Sequence, residues 1–320
     1  MKVIDSSVGI IVQSPGIEGM KRHIEKCARI CYRSEGNITK DSYVKFLGML
    51  YSRGHWNALS LGTVYMKIPV SDSGVIEKLC KTGPFTRWST FKNYIKLTTN
   101  YRIICQLGLE VEMEKYWVEP DNDFYKRVTA DFICSRSTSH QLVRHRAFCM
   151  LQESQRYCNY SKDNKFKDGL IFILPSWAYR LRDMLGVTFN KYTGESREGL
   201  LNTSGEILWN KLKEENHPLV QARSRYWETC EAEYNYEVTG RFGDLKINPE
   251  DARGVLCNDV KTELCLCGYI EDWMYEPSED SKEKAGFFYL RTAKDAQEDI
   301  RLLALSLKEQ FKIRGYDKMK

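Results

Sequence analysis

Residues 139–160 read SHQLVRHRAFCMLQESQRYCNY, a span in which Arg144, His145 and Arg146 are followed ten residues later by Arg156. Gln141, Gln152, Ser154, Gln155 and Tyr157 supply neutral donors and acceptors among these cations. Guanidinium groups bind phosphate through two parallel hydrogen bonds, while amides and hydroxyls orient a ligand at a smaller desolvation cost. Val143, Phe148, Met150 and Leu151 interleave with the polar residues and would pin the segment to a core. Charge for a phosphate and amides for base edges are what a pocket for a phosphorylated heterocycle needs. The same composition suits an arginine-rich surface helix paired with acids elsewhere, and composition alone leaves the two open.

Outward from this segment, periodicity sets the elements. Toward the N-terminus, Ile24, Ala28 and Cys31 share a helix face over about 17–33. Tyr43, Phe46, Leu47 and Leu50 repeat at helical spacing over about 40–53, with Thr39 placed to cap and Gly54 to terminate. Val64, Met66 and Ile68 alternate with polar neighbours and predict a strand with one core face. Val128, Ala130, Phe132 and Cys134 predict another, and the apolar run Leu170 to Leu174, closed by Pro175, a third. The latter half reads as mostly helical, with stripes at Leu201, Ser204, Leu208 and Leu212 and at Ile300, Leu303, Ala304, Leu307 and Phe311. Glu276–Lys284 has no apolar residue and reads as a solvated loop. There is no repeat, low-complexity tract or long linker, so a single α/β or α+β unit is expected.

Lys and Arg number 48 against 43 Asp and Glu, a net charge of +5. That excess suits an anionic small molecule better than a nucleic-acid track, which would need clustered basic runs. No apolar run approaches the roughly 18 residues of a membrane helix. The N-terminal stretch lacks the pattern of a signal peptide, so a soluble cytoplasmic protein is expected, with no membrane or nucleic-acid partner. Eleven cysteines without a C-x-x-C pair read as free thiols, and the five dispersed histidines argue against a zinc site.

Arg144-His145-Arg146, seven residues and then Ser154 resembles the RHR-x7-S signature of the flavin-dependent thymidylate synthases. The flanking HQLVRHR and QESQRY strings resemble that family too. So do Arg53-Gly54-His55 (RGH), the stretch ARGVLCNDVKTE from Ala252 to Glu263 (ARxxLPNxxKTE) and Phe287–Arg291 (FFxLR), in the same order. These blocks cover most of the chain, and about 70–127 and 176–217 resemble insertions of longer members. The resemblance implies one α/β (α+β) domain over residues 1–320 with a central, mostly antiparallel sheet flanked by helices. It implies a homotetramer with FAD at subunit interfaces. It also implies methylation of deoxyuridine monophosphate (dUMP) at C5, with methylenetetrahydrofolate as carbon donor and NADPH as the source of reducing power. No cysteine nucleophile is implied.

Carried over residue by residue, Gln141, Arg144, Gln152, Ser154, Gln155 and Arg156 fall at positions around the nucleotide, with Arg253 reaching it from a second segment. Arg144, His145, Arg146 and Gln152 fall at flavin positions. Arg291 matches the catalytic arginine that binds dUMP and polarises the uracil N3/O4 edge, and His55 and Tyr157 match the folate side. Three stretches depart from the family pattern, all on the flavin side. Leu59-Ser60-Leu61 replaces an LEH string, Tyr269-Ile270-Glu271 replaces Asn-Ala-Arg, and Ala296-Gln297-Glu298 stands where a His is common. Two alternatives follow: a related enzyme that delivers another one-carbon group to uridylate, such as hydroxymethyl, or a non-catalytic nucleotide-binding homologue. Elsewhere the expectations are structural. Trp177, Tyr179, Tyr226 and Trp227 read as core or interface, Cys265 and Cys267 as buried on one face, and Glu271-Asp272 as a solvated or capping pair.

Overall fold

Residues Lys261–Tyr269 (KTELCLCGY) are buried at every position, so both faces of this strand must be covered by other elements. The computed structural model describes residues 2–161, 169–188, 204–240, 246–278 and 285–319. Among them the strands are β1 Lys2–Ile4, β2 Ser7–Ile11, β3 Thr63–Pro69, β4 Arg87–Thr90, β5 Tyr94–Asn100, β6 Arg127–Ser135, β7 Cys149–Gln152, β8 Ile171–Ile173 and β9 Lys261–Tyr269. The main sheet has the order β2-β6-β9-β7 and is antiparallel throughout. β6 and β9 pair from Arg127↔Tyr269 to Ser135↔Lys261, which consumes the buried backbone groups along the whole of β9 on that side. A smaller antiparallel sheet, β3-β5-β4, and a parallel pair, β1-β8, complete a mixed α/β architecture flanked by helices.

Alternation along β9 sends Leu264 and Leu266 to one face and Cys265 and Cys267 to the other. The leucines join Ala130, Phe132, Trp273 and Phe287 under the helix Glu298–Ile313, whose Ile300, Leu303, Ala304, Leu307 and Phe311 are all buried. The cysteines meet Cys27 and Ile30 of the helix Gly16–Ile30, with Ile11, Leu61 and Cys149. A third cluster lies beside β8, where Phe172 stacks on Trp227 at 5.0 Å and Trp209 meets Trp227 at 4.7 Å.

The periodic helices are present as Gly16–Ile30, Ser42–Ser52 and Glu298–Ile313, and Gly54 ends the second with a positive φ of 68°. Thr39 is not the cap expected of it. Asp41 occupies that position without a side-chain bond, and Thr39 N–H donates to Ser42 Oγ at 2.9 Å. β3 is also less one-sided than its alternation suggests, because Tyr65 on the second face packs edge-on against Phe124 at 5.6 Å. The helical reading of the latter half overlooked β9, a nine-residue strand. Ser204, Leu208 and Leu212 are buried on the helix Ser204–Glu214, while Leu201 and residues 279–284 of the solvated loop lie outside the described residues. Trp227 is core but Tyr226 is exposed, and Asp272 caps the turn at Tyr269 N while pairing, with Glu271, to Arg87.

Gly268 sits where a Cβ would overlap the Phe148 ring, itself wedged against Trp273 at 4.4 Å. Gly268→Ala should therefore destabilise the fold by about 1–3 kcal/mol through overpacking. Urea unfolding measures this, and a second change, Phe148→Leu, should recover part of the loss.

Candidate active site

The RHR segment is held between a helix and an edge strand. At the end of β6, Ser135 Oγ accepts the Thr138 N–H at 3.2 Å and caps the helix Arg136–Leu142. The chain then turns through His145, with His145 N–H donating to Leu142 O and Phe148 N–H to His145 O, and returns as β7 beside β9. Beyond β7, Glu153 N–H donates to Glu263 O and Ser154 N–H to Cys31 O. The motif thus crosses the end of the main sheet toward the helix Gly16–Ile30.

Four groups of side chains result. In the first, Arg291 donates from Nε to His145 Nε2 at 2.8 Å and from Nη2 to Gln141 O at 3.1 Å. Arginine donates only, so His145 Nε2 must carry a lone pair and Nδ1 the proton. Burial, reinforced by the Arg291 charge, pushes the imidazole down to about 4. Gln141 Nε2 donates to Gln297 Oε1 at 2.7 Å, so the residue standing where the family commonly has His reaches this group.

In the second, Gln152 Nε2 donates to Ser139 Oγ at 2.9 Å and Thr262 Oγ1 at 3.2 Å. Arg136 also reaches Thr262, at 3.4 Å, and burial, aided by the Arg253 charge, disfavours the Arg136 cation. The third is a buried charge cluster. Glu153 accepts Lys261 Nζ at 2.7 Å and the Tyr160 hydroxyl at 2.8 Å, with Arg33 at 3.9 Å and Glu263 at 3.2 Å from Lys261. Burial opposes the Lys261 charge, but the two carboxylates outweigh it and hold the ammonium above its usual range. Arg33 joins with a positive φ of 46°, uncommon for a residue with a Cβ. The fourth gathers His55 and Tyr157 around Tyr32. The Tyr32 hydroxyl lies 2.6 Å from His55 Nδ1, and the Tyr32 and Tyr157 rings are 5.6 Å apart.

Tyr32, Arg33 and Glu153 escaped the sequence reading. One acid set among three arginines was the only local sign of the Glu153 cluster. Arg156 pairs with Glu250 at 2.9 Å on the short helix that precedes Arg253, which brings that second segment against the motif. Gln155 is half-buried beside it, and Ser154 Oγ accepts the Arg156 N–H at 3.2 Å. Arg144 and Arg146 are exposed, and among the described residues neither guanidinium has a hydrogen bond or ion pair, although the Arg144 backbone N–H donates to Gln141 O. Their uncompensated guanidiniums fit an anionic diphosphate such as that of FAD. The departing positions do not add to that fit. Leu61 lies in the core, Ser60 Oγ bonds to Asn57 O, and the Tyr269 hydroxyl donates to Thr98 O at 2.8 Å. All three are interior.

Of the thiols nearest the motif, Cys149 is buried, and burial pushes Cys158 up to about 12. Among the described residues no cluster of His, Cys, Asp and Glu converges on a metal position, and no helix is long and apolar enough to cross a membrane.

A sequence profile described as thymidylate synthase complementing protein matches residues 127–314, more than half of the chain. Similar solved structures include two of a UMP/dUMP methylase, PolB, from Streptomyces cacaoi, one bound with 5-Br dUMP and one with 5-Br UMP. The first is 12% identical and covers 97% of this chain and 92% of its own, with a TM-score of 0.37. The second is 14% identical and covers 97% and 91%, also with a TM-score of 0.37. No curated protein matches the chain.

The neutral state of His145 has a pH consequence. An unfolded imidazole takes up its proton near 6.5 and this one only near 4. The unfolded state therefore binds more protons between those values, and stability rises with pH there. The contribution is complete above about 6.5 and is lost as the pH falls toward 4. Imidazole resonances followed by NMR should place the His145 midpoint near 4, and His145→Gln should flatten the stability slope over that interval. A midpoint at the ordinary value would contradict the assignment.

Proposed function

Because the chain belongs to the thymidylate synthase complementing protein family, we propose that it methylates dUMP at C5 to form thymidylate. The carbon donor is methylenetetrahydrofolate, and FAD, when bound and reduced by NADPH, supplies the hydride. The observation that carries the reading is the convergence of Arg291 on the RHR turn, 2.8 Å from His145, within the matched region.

Arg291 binds the uracil N3/O4 edge. Its guanidinium is oriented before substrate arrives, by a backbone carbonyl and by the imidazole lone pair. A fixed cation at that edge stabilises the negative charge that develops as C5 becomes nucleophilic. Neutral His145 aligns the cation without adding a second, repelling charge beside it. Arg144, Arg156 and Arg253 bind the phosphate end, with Gln141, Ser154 and Gln155 orienting the nucleotide. Arg156 must exchange its exposed Glu250 partner for the ligand, a small cost for a half-exposed pair. Arg144, His145, Arg146 and Gln152 would hold FAD, and His55 and Tyr157, joined through Tyr32, line the folate side. The single domain, with insertions at about 70–127 and 176–217, assembles as a cytoplasmic homotetramer in which the exposed RHR turn meets a neighbouring copy.

A second reading, transfer of a different one-carbon group such as hydroxymethyl, is favoured by one observation. Ser60, Leu61 and Tyr269 are packed inside the protein where the family has polar flavin-side residues. Incubation with dUMP, methylenetetrahydrofolate, FAD and NADPH separates the readings. A methyl product supports the first and a hydroxymethyl product the second. A protein that binds dUMP but no flavin on reconstitution is the non-catalytic homologue.

Arg291→Lys keeps the charge but loses the planar fork. Turnover should fall about 100- to 1000-fold, the effect of removing one aligned donor at developing charge. Nucleotide affinity should change less, because the interaction strengthens in the transition state. Normal turnover with a lowered melting temperature would reduce Arg291 to a structural ion.

A further inference from the structure

Cys230 and Cys257 come together from segments far apart in sequence. Cys230, on the helix Pro218–Thr239, accepts the Cys257 N–H at its sulfur, 3.4 Å from the nitrogen, and its own thiol donates to Val255 O at 3.2 Å. Both side chains are nearly but not fully buried, and Cys257, though not Cys230, lines an open cleft of about 380 Å³ with Arg223, Tyr226, Asn258 and Asp259, so a small oxidant reaches the pair from the Cys257 side. The ARxxLPNxxKTE pattern has Pro at the position of Cys257, so the pair is a feature of this chain and not of the motif.

We propose that Cys230 and Cys257 are an oxidative modification site that closes to a disulfide on reaction with a peroxide. Donation from Cys257 lowers the Cys230 thiol from its ordinary value against the opposing effect of burial, which suits Cys230 as the attacking sulfur once it gives up the proton shared with Val255 O. Cys257 is held protonated by the same contact and by burial, which suits the resolving thiol. The chemistry balances with one peroxide. Cys230 thiolate attacks the O–O bond, forming an S–O bond and a sulfenic acid and releasing hydroxide, which takes up a proton as water. The Cys257 sulfur then attacks the Cys230 sulfur. An S–S bond forms, the S–O bond breaks, and the leaving hydroxide departs as water with the Cys257 proton. Two thiols are oxidised by two electrons and the peroxide is reduced to two waters. Cys27 and Cys265 are also in contact, but both are fully enclosed between helix and sheet, away from such a cleft.

The test uses the full-length reduced protein and hydrogen peroxide, followed by alkylation in denaturant and non-reducing peptide mapping. The expected result is a loss of two hydrogens carried by one linked peptide pair, Cys230 with Cys257, while Cys27, Cys265 and Cys134 remain alkylatable. In Cys257→Ser the reaction should stop at a sulfenic acid on Cys230 that dimedone captures. Recovery of Cys230 and Cys257 as free thiols at peroxide doses that oxidise other cysteines would overturn the proposal. So would a linked pair of any other composition. The wild-type map decides the matter even if the variant folds poorly.

Discussion

A strand with no exposed position obliges the rest of the molecule to cover it, and β9 is that strand. Its backbone groups are paired by β6 on one side and β7 on the other, and its two faces require the helix Glu298–Ile313 and the helix Gly16–Ile30. Burying a Leu side chain is worth about 1.5–3 kcal/mol, so Leu264 and Leu266 draw the C-terminal helix onto the sheet strongly. The register that satisfies β9 also fixes the site. With β7 paired from Cys149↔Cys267 to Gln152↔Leu264, the chain leaves the sheet at Glu153, beside Lys261 and Glu263.

The charges at that sheet end are divided by environment. Glu153, Lys261, Glu263 and Arg33 neutralise one another in the interior, with Tyr160 satisfying a further carboxylate oxygen. Such a cluster adds little net stability over an apolar replacement, but removing one member costs about 3–5 kcal/mol, because a buried charge is left uncompensated. It acts as a rigid floor under Gln152 and Ser154. On the solvent side Arg144 and Arg146 have no compensating acid among the described residues, and that asymmetry attracts an anion. Between the two lies neutral His145, whose burial against Phe287 at 4.9 Å keeps it from charging beside Arg291.

The departures from the family pattern gain a physical meaning from the fold. Leu61 fills the thiol-lined space between the first helix and β9, and Tyr269 bonds to the carbonyls of Phe85 and Thr98 in the segment about 70–127. Both positions tie the central sheet to the smaller one. Gln297 differs, since it is exposed and hydrogen-bonded to Gln141. One departing position therefore remains at the surface beside the RHR turn, while the others are internal packing.

Local periodicity was sufficient for elements with one solvent face. The helices Gly16–Ile30, Ser42–Ser52 and Glu298–Ile313 announce themselves by spacing, because exposure on one side enforces a repeat. The motif strings carry Gln141, His145 and Arg291, and the fold brings these three into hydrogen-bond contact although Gln141 and Arg291 are 150 residues apart. β9 stayed hidden because burial on both faces removes the polar half of the alternation, leaving KTELCLCGY open to either period. The contacts of Tyr32 with His55, of Arg33 and Lys261 with Glu153, of Arg156 with Glu250 and of Cys230 with Cys257 were decided by tertiary structure alone. Each joins residues whose local surroundings are ordinary. Their charge state, tautomer and reactivity come from the partner and the burial that folding supplies, and neither is encoded within a helical turn or a strand repeat.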